Sequence, residues 1–193
     1  MTTPAQAGQL WLVRHAQPLV APGVCYGALD VRADPAATAD SARRLAAVLP
    51  GGIAVHHSPL QRCEQLAHAL LGLRADLASQ PDARLAEFDF GAWEGRAWSS
   101  IARADIDAWT AHFAHHRPGG GESLAGMLAR VAAALHAARQ HCAQGQDVLW
   151  IAHAGVARCV HWLLNAPPGQ MPRADQWPTS APGYGAWVRF ALD

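Results

Sequence analysis

Short, almost entirely apolar runs alternate along the chain with longer stretches in which apolar residues recur every three or four positions. The runs at residues 10–13 and 147–152 are typical of strands buried on both faces of a sheet. Another strand is expected to open at residues 53–55, a weaker one at 83–87 and a final one at 186–192. The pattern therefore predicts five strands spread over the length of the chain.

Helical periodicity occupies the stretches between these strands. Ser58 followed by Pro59 has the form of a helix N-cap and first helical residue, so we expect a helix from there to about residue 71, ending at Gly72. The other predicted helices span residues 36–49, 98–116 (as one or two short helices), 124–144 and 155–164. Each predicted strand is thus separated from the next by a helix.

This alternation predicts the fold class. Strands that alternate with helices of ten or more residues form βαβ crossovers, whose strands are mostly parallel and whose helices cover both faces of the sheet. We therefore expect an α/β protein with three layers, α/β/α, and a mostly parallel central sheet. Residues 98–118 are expected to be a helical insertion over the carboxyl ends of the strands. At 193 residues, the default is one domain spanning residues 1–193.

Composition bears on partners and compartment. Lys plus Arg and Asp plus Glu number 15 each, so no net positive field favours nucleic acid or an anionic membrane surface. No apolar run is long enough to span a bilayer, and residues 1–9 lack the features of a signal peptide. The four cysteines form no C-x-x-C pair and are expected to be reduced. We expect a cytoplasmic protein that acts on a small molecule, with its oligomeric state left open.

Two histidines stand where a ligand site is expected. In a mostly parallel sheet, ligands bind outside the carboxyl ends of the strands. His15 and His153 each follow an all-apolar strand at that edge, where a polar side chain has no role in the core. Ser58 and the helix that carries Arg62 begin at the same edge. The sequence therefore predicts that these side chains converge.

The residue types at this edge suit a phosphate monoester. A phosphoryl dianion needs several cationic or N–H donors, and the planar guanidinium of Arg14 or Arg62 can bind two of its oxygens at once. Phosphoryl transfer depends mainly on positioning and charge, so two arginines and a histidine can take the place of a metal ion. A histidine can be the nucleophile when one ring nitrogen is free. Glu87 is the candidate to protonate the departing oxygen.

Five segments in order carry a family resemblance. They lie at residues 12–16 (LVRHA), 58–62 (SPLQR), 85–95 (LAEFDFGAWEG), 120–124 (GGESL) and 151–156 (IAHAGV). The first resembles the signature of the histidine phosphatase (phosphoglycerate-mutase-like) superfamily. The others are similar to that family's second-arginine, acid, G-E-S-L and second-histidine elements, so the likeness covers nearly the whole chain.

The resemblance implies a role for each matched residue. His15 would be the phosphorylated nucleophile. Glu87 would protonate the leaving group and then activate the water that hydrolyses the phosphohistidine. Arg14, Arg62 and His153 would bind the phosphoryl oxygens. The resemblance implies no metal ion and no cofactor.

A loop between the first strand and the first helix bears on the substrate. Residues 20–30 (VAPGVCYGALD) resemble the C-Y-G-x-x-D loop of α-ribazole phosphatases of cobalamin synthesis, which implies α-ribazole 5′-phosphate as the substrate. Tyr26 and Gly27 of this loop are expected to bind substrate. Gln17 stands where the family often has a glutamate and is expected to bind substrate as well.

Two alternatives stay open. One is a broad-specificity phosphatase or a phosphoglycerate mutase, although only one predicted strand follows Tyr184, and a mutase needs a closing tail to exclude water. The other is a non-catalytic regulatory member of the fold, which is disfavoured by the presence of all five candidate site residues, Arg14, His15, Arg62, Glu87 and His153.

Other histidines and tryptophans have simpler interpretations. His112, His115 and His116 indicate a metal site by composition alone, but no matching Cys or carboxylate spacing accompanies them, so a solvated helix is favoured. Trp93 or Trp98 is a candidate to line a pocket for an aromatic base.

Overall fold

The computed structural model describes residues 7–192, so expectations for residues 1–6 lie outside the described part. The strands are β1 Gln9–Arg14, β2 Ala54–His57, β3 Ser79–Pro81, β4 Val148–Ala152 and β5 Trp187–Ala191. The α-helices are α1 Pro35–Ala46, α2 Gln61–Leu73, α3 Arg103–Ala111, α4 Leu124–Ala143 and α5 Ala154–Asn165. None of the helices in this range is both long enough and apolar enough to cross a membrane.

The strands form one five-stranded sheet in the order β3-β2-β4-β1-β5. β1 and β4 are parallel neighbours at its centre, and β2 and β3 continue the parallel part. Only β5 is antiparallel, pairing with the outer side of β1. The predicted mostly parallel sheet is confirmed.

Helices cover both faces of this sheet. On one face, Leu10 and Leu12 of β1 belong to a buried cluster with α4 and α5. On the other face, Trp11 and Val13 pack in a second cluster with α1 and α2. Since successive side chains of a strand point to opposite faces, one apolar strand supplies both cores. The predicted three-layer α/β/α architecture is confirmed.

Two sequence-based expectations about local structure are wrong. No strand forms at residues 83–87: Asp82 accepts the Arg84 N–H at 2.9 Å and starts a 3₁₀ turn, Ala83–Leu85, while the strand lies earlier, at Ser79–Pro81. Ser58 does not cap α2, which begins at Gln61. The Ser58 N–H instead donates to Ile151 O at 3.0 Å, so the chain is still extended alongside β4 at this point.

Candidate active site

His15 follows β1 at the carboxyl edge of the sheet and is only 2% exposed. Its Nδ1 lies 2.7 Å from the carbonyl oxygen of Ala16. Because a carbonyl can only accept, Nδ1 carries the hydrogen and Nε2 is the free nitrogen. Burial, and then the positive charge of Arg62, lowers the pKa of His15 to about 3, the hydrogen bond to Ala16 opposing this and Arg14 adding to it. His15 is therefore a neutral imidazole with Nε2 unprotonated at neutral pH.

His153 ends β4 beside His15, and the centroids of the two rings are 5.2 Å apart. It is completely buried and is the N-cap residue of α5. Its Nε2 lies 2.8 Å from Ser58 Oγ, which fixes the ring across the β2–β4 junction. Burial, followed by the charge of Arg62, holds the pKa of His153 well below its usual range.

Arg62 lies in the first turn of α2 and is completely buried. Its two terminal nitrogens donate to the carbonyl oxygens of Leu29 (2.8 Å) and Gly27, in the loop between β1 and α1. Its Nε is buried and finds no acceptor within residues 7–192. The loop therefore holds the guanidinium in place while leaving one donor free.

Arg14 lies at the end of β1 and is held by the segment that precedes β5. Its Nη1 donates to Pro182 O at 3.2 Å, and its guanidinium carbon lies 3.8 Å from the centroid of the Tyr184 ring. Tyr184 in turn shares a 2.8 Å hydroxyl–hydroxyl hydrogen bond with Tyr26. The Nε of Arg14, like that of Arg62, is buried and lacks an acceptor in the described part of the chain.

Glu87 reaches the same edge from the segment after β3. Its Oε2 accepts the N–H of Gly155 at 3.0 Å, and its Oε1 accepts its neighbour Phe88's N–H at 3.0 Å. A Cβ added to Gly155 would overlap Oε1. The carboxylate thus lies against the first turn of α5, beside the residue that follows His153 by two positions.

Arg130 on α4 forms an ion pair with Glu122, just before α4, and holds the backbone of the Glu87 segment. Arg130 makes a two-pronged pair with Glu122, with both N–O distances at 2.8 Å. The same guanidinium donates to the carbonyl oxygens of Arg84 (2.8 Å), Ala86 (2.6 Å) and Glu87 (3.3 Å). Glu122 belongs to the G-E-S-L segment, whose Ser123 caps α4. Sequence reasoning gave no role to Arg130.

Glu94 organises the loop that holds Arg62. Its two carboxylate oxygens accept four backbone N–H groups at 2.9–3.1 Å, those of Gly27, Ala28, Leu29 and Phe90. Glu94 lies within residues 85–95, the segment that resembles the family's acid element, but the sequence did not indicate its role. Its partners in the loop are 65–67 positions away in the chain, so no local pattern links them.

A cavity of about 560 Å³ opens at this edge, with Arg14, His15, Tyr26 and Glu87 in its lining. Six of the 18 lining residues are Phe or Trp, namely Phe88, Phe90, Trp98, Trp109, Phe113 and Trp177. The rings of Trp98 and Trp109 are nearly parallel, at 10° and 6.4 Å between centroids. Residues 98–118 contribute three of these rings, those of Trp98, Trp109 and Phe113.

The remaining predicted residues are placed differently. Arg62 and His153 are buried beside His15 rather than in the cavity lining. Gly27 is buried, its N–H bound by Glu94 and its carbonyl by Arg62. Gln17 is exposed and does not line the cavity. Within residues 7–192, no three metal-ligating side chains are grouped to hold an ion.

The sequence of the chain matches a known protein family. The family model "Histidine phosphatase superfamily (branch 1)" matches residues 10–182, which include all five sequence segments described above. No curated protein sequence matches the chain.

Solved structures show the same fold. A protein provisionally named alpha-ribazole-5′-P phosphatase, from Escherichia coli, is 25% identical with a TM-score of 0.78, over 95% of this chain and 89% of that chain. TTHB049 from Thermus thermophilus is 26% identical with a TM-score of 0.69, over 94% and 92% of the two chains. The mycobacterial glucosyl-3-phosphoglycerate phosphatase, 24% identical with a TM-score of 0.74 over 95% and 89%, is a likeness of fold alone.

Proposed function

The chain belongs to branch 1 of the histidine phosphatase superfamily and is a phosphatase, and we propose that it hydrolyses phosphate monoesters through a phosphohistidine at Nε2 of His15, without a metal ion. The resemblance drawn from the sequence motifs is confirmed at the level of family and of enzyme class. The roles of individual residues and the choice of ester belong to the proposal.

The observation that carries the proposal is the state of the two arginines beside His15. Each has a buried Nε–H with no acceptor among the described residues. A buried cationic donor without a partner is costly, and a phosphoryl group supplies the missing oxygens.

In the first step, the lone pair of His15 Nε2 attacks phosphorus. The bond between phosphorus and the ester oxygen breaks, and the protonated Glu87 carboxyl gives its proton to that oxygen. The neutral tautomer of His15, with Nδ1–H held by Ala16, supports the nucleophilic role. Arg14, Arg62 and His153 stabilise the charge on the equatorial oxygens, where fixed donors in a buried site are most effective.

In the second step, a water molecule attacks the phosphohistidine. Glu87, now a carboxylate, takes a proton from that water, the N–P bond breaks, and inorganic phosphate leaves with His15 restored. Glu87 is thus acid in one step and base in the next. Its hydrogen bond to the Gly155 N–H supports a fixed position through both steps.

Within this class we favour α-ribazole 5′-phosphate as the substrate. The loop around Tyr26 resembles that of α-ribazole phosphatases, and Tyr26 lines the cavity. A wall of six aromatic rings suits a planar aromatic base. The name of the Escherichia coli protein points the same way.

The four free, buried cysteines support the expected reducing, cytoplasmic setting.

The test is turnover of α-ribazole 5′-phosphate in EDTA by wild type and by His15→Ala. We expect rapid phosphate release by wild type and a loss of several orders of magnitude in the variant. Full activity of His15→Ala would refute the phosphohistidine mechanism. Inactivity of wild type toward this ester, with activity toward phenyl phosphate, would refute only the substrate. Labelling of His15 by a radiolabelled ester, trapped in an alkaline denaturant because the N–P bond is labile in acid, separates an enzyme from a non-catalytic member of the fold.

A further inference from the structure

Among the described residues that line the cavity, Arg158 is a cation for which the proposed reaction has no use. It lies on α5, three residues after Gly155, so the two share one face of the helix about one turn apart. Gly155 holds Glu87, the group that protonates the ester oxygen. Arg158 therefore lines the cavity about one helical turn from the contact that holds the proposed acid.

The Arg158 guanidinium is incompletely satisfied within residues 7–192. Its Nη2 donates to Thr179 O at 3.3 Å, and its Nε is buried without an acceptor. It forms no ion pair with any carboxylate in that range. In a cavity lined by six Phe and Trp rings, such a group is expected to meet an acceptor on the ligand.

Arg158 is separate from the phosphoryl-binding set. Arg14 directly precedes His15 at the end of β1. Arg158 instead lies on α5, five residues after His153 and about one turn beyond Gly155. A guanidinium in this position contacts the body of the substrate instead of its phosphate.

We propose that Arg158 is a specificity-determining residue that binds two adjacent oxygen atoms of the leaving group, as a vicinal diol or a carboxylate presents them. The planar fork of an arginine matches such a pair of acceptors. The proposal rests on the phosphatase function proposed above, and narrows its substrates to esters whose leaving group carries such an oxygen pair.

The test compares matched esters in wild type, Arg158→Met and Arg139→Met. Adenosine 5′-phosphate against its 2′,3′-dideoxy analogue probes the diol, and 4-carboxyphenyl phosphate against phenyl phosphate probes the carboxylate. Arg139→Met is the control, because Arg139 also has a buried Nε without an acceptor in the described residues but lies outside the cavity lining, on α4.

We expect Arg158→Met to lower kcat/KM about tenfold to a hundredfold for the oxygen-bearing member of at least one pair, as loss of a charged hydrogen bond does. The other member should change less than twofold, and Arg139→Met should alter neither ratio. The pair that responds identifies the diol or the carboxylate. Equal losses for both members of both pairs would overturn the proposal and leave Arg158 as a tether for the Thr179 segment.

A binding experiment keeps this proposal distinct from the proposed function. If wild type hydrolyses none of the esters, the phosphatase mechanism fails, and the affinities for adenosine, 2′,3′-dideoxyadenosine, 4-hydroxybenzoate and phenol are compared by calorimetry. We expect wild type to prefer the oxygen-bearing member of at least one pair about tenfold or more, and Arg158→Met to lose that preference. Equal affinities for both pairs in wild type would overturn the role of Arg158.

Discussion

Glu87 and Gly155 are in such close contact that no side chain fits between them. The Gly155 N–H donates to Glu87 Oε2 at 3.0 Å, and any Cβ at position 155 would overlap Oε1. This contact joins the segment after β3 to the first turn of α5. It fixes the proposed acid beside the strand end that carries His153.

Replacing Gly155 by alanine should therefore displace Glu87. We expect kcat to fall about tenfold to a hundredfold for esters of aliphatic alcohols, because proton transfer to the leaving group is impaired. The loss should be much smaller for 4-nitrophenyl phosphate, whose leaving group needs little protonation. Gly72→Ala is the control, since no atom lies within 4 Å of its added Cβ. Equal losses for both kinds of ester would contradict the role assigned to Glu87.

The Glu122–Arg130 pair should matter for both activity and stability. Arg130→Met leaves the carbonyl oxygens of Arg84 and Ala86 without their donor and Glu122 without its partner. We expect a loss of about 2–3 kcal/mol in the free energy of unfolding, measured by urea denaturation. We also expect kcat to fall more for poor leaving groups than for good ones.

Arg103→Met is the comparison for this variant, because it breaks the exposed pair with Asp107. It should change stability by less than about 1 kcal/mol and leave kcat unchanged. A similar loss in the free energy of unfolding in both variants would mean that Arg130 contributes no more to stability than an exposed ion pair does.

Glu94→Gln should weaken phosphate binding, although Glu94 itself is not expected to contact phosphate. The change places an amide N–H₂ among four backbone N–H donors that now face a carboxylate. The loop that holds Arg62 should loosen, so we expect the inhibition constant of inorganic phosphate to rise about tenfold, as for loss of one charged hydrogen bond. Glu64→Gln, on α2 and outside the hydrogen bonds to Glu94, should leave this inhibition constant unaltered. An unchanged constant in Glu94→Gln would mean that the loop does not determine how Arg62 binds phosphate.

Stability should fall with acid in a way that depends on His15. The pKa of His15 is lowered to about 3 in the folded protein, mainly by burial, and returns to 6.5 on unfolding. Between these two pKa values, His15 is therefore protonated in the unfolded chain but not in the folded chain. The contribution of His15 to the free energy of unfolding is complete above pH 6.5 and declines as pH falls. For this one group we expect a loss of roughly 2 kcal/mol between pH 7 and pH 5.

His15→Asn should remove that part of the pH dependence. Urea denaturation of wild type and variant at pH 7 and pH 5 measures it, and parallel losses in the two proteins would contradict the burial of a neutral His15. The pKa of His153 is also lowered, so the variant should keep the remaining slope.

Apolar patterning was sufficient to predict most of the fold. A strand buried on both faces must be apolar along its buried part, as β1 is at residues 10–13 and β4 is throughout. The ends of those two strands then locate His15 and His153 at one edge. β3 could not be found this way, because Ser79–Pro81 is a three-residue edge strand with no apolar run.

The supporting residues of the site were harder to predict, for a physical reason. Glu94 and Arg130 act on backbone groups, and any residue can supply a backbone N–H or carbonyl. Tyr184 reaches Tyr26 across 158 positions of chain. Such contacts leave no pattern in local sequence, whereas Ser58 has the local pattern of a helix cap yet lies within reach of His153.

The position of β1 in the sheet has a consequence for how the molecule is made. β1 precedes both of its neighbours in the chain, because β4 and β5 begin at Val148 and Trp187. On the ribosome, β1 thus has both edges unpaired until β4 has been translated, and one edge unpaired until β5 has followed. Such late, long-range pairing is slow and exposes strand edges to other chains. His15, the proposed nucleophile, can meet His153 and Tyr184 only after both have left the exit tunnel.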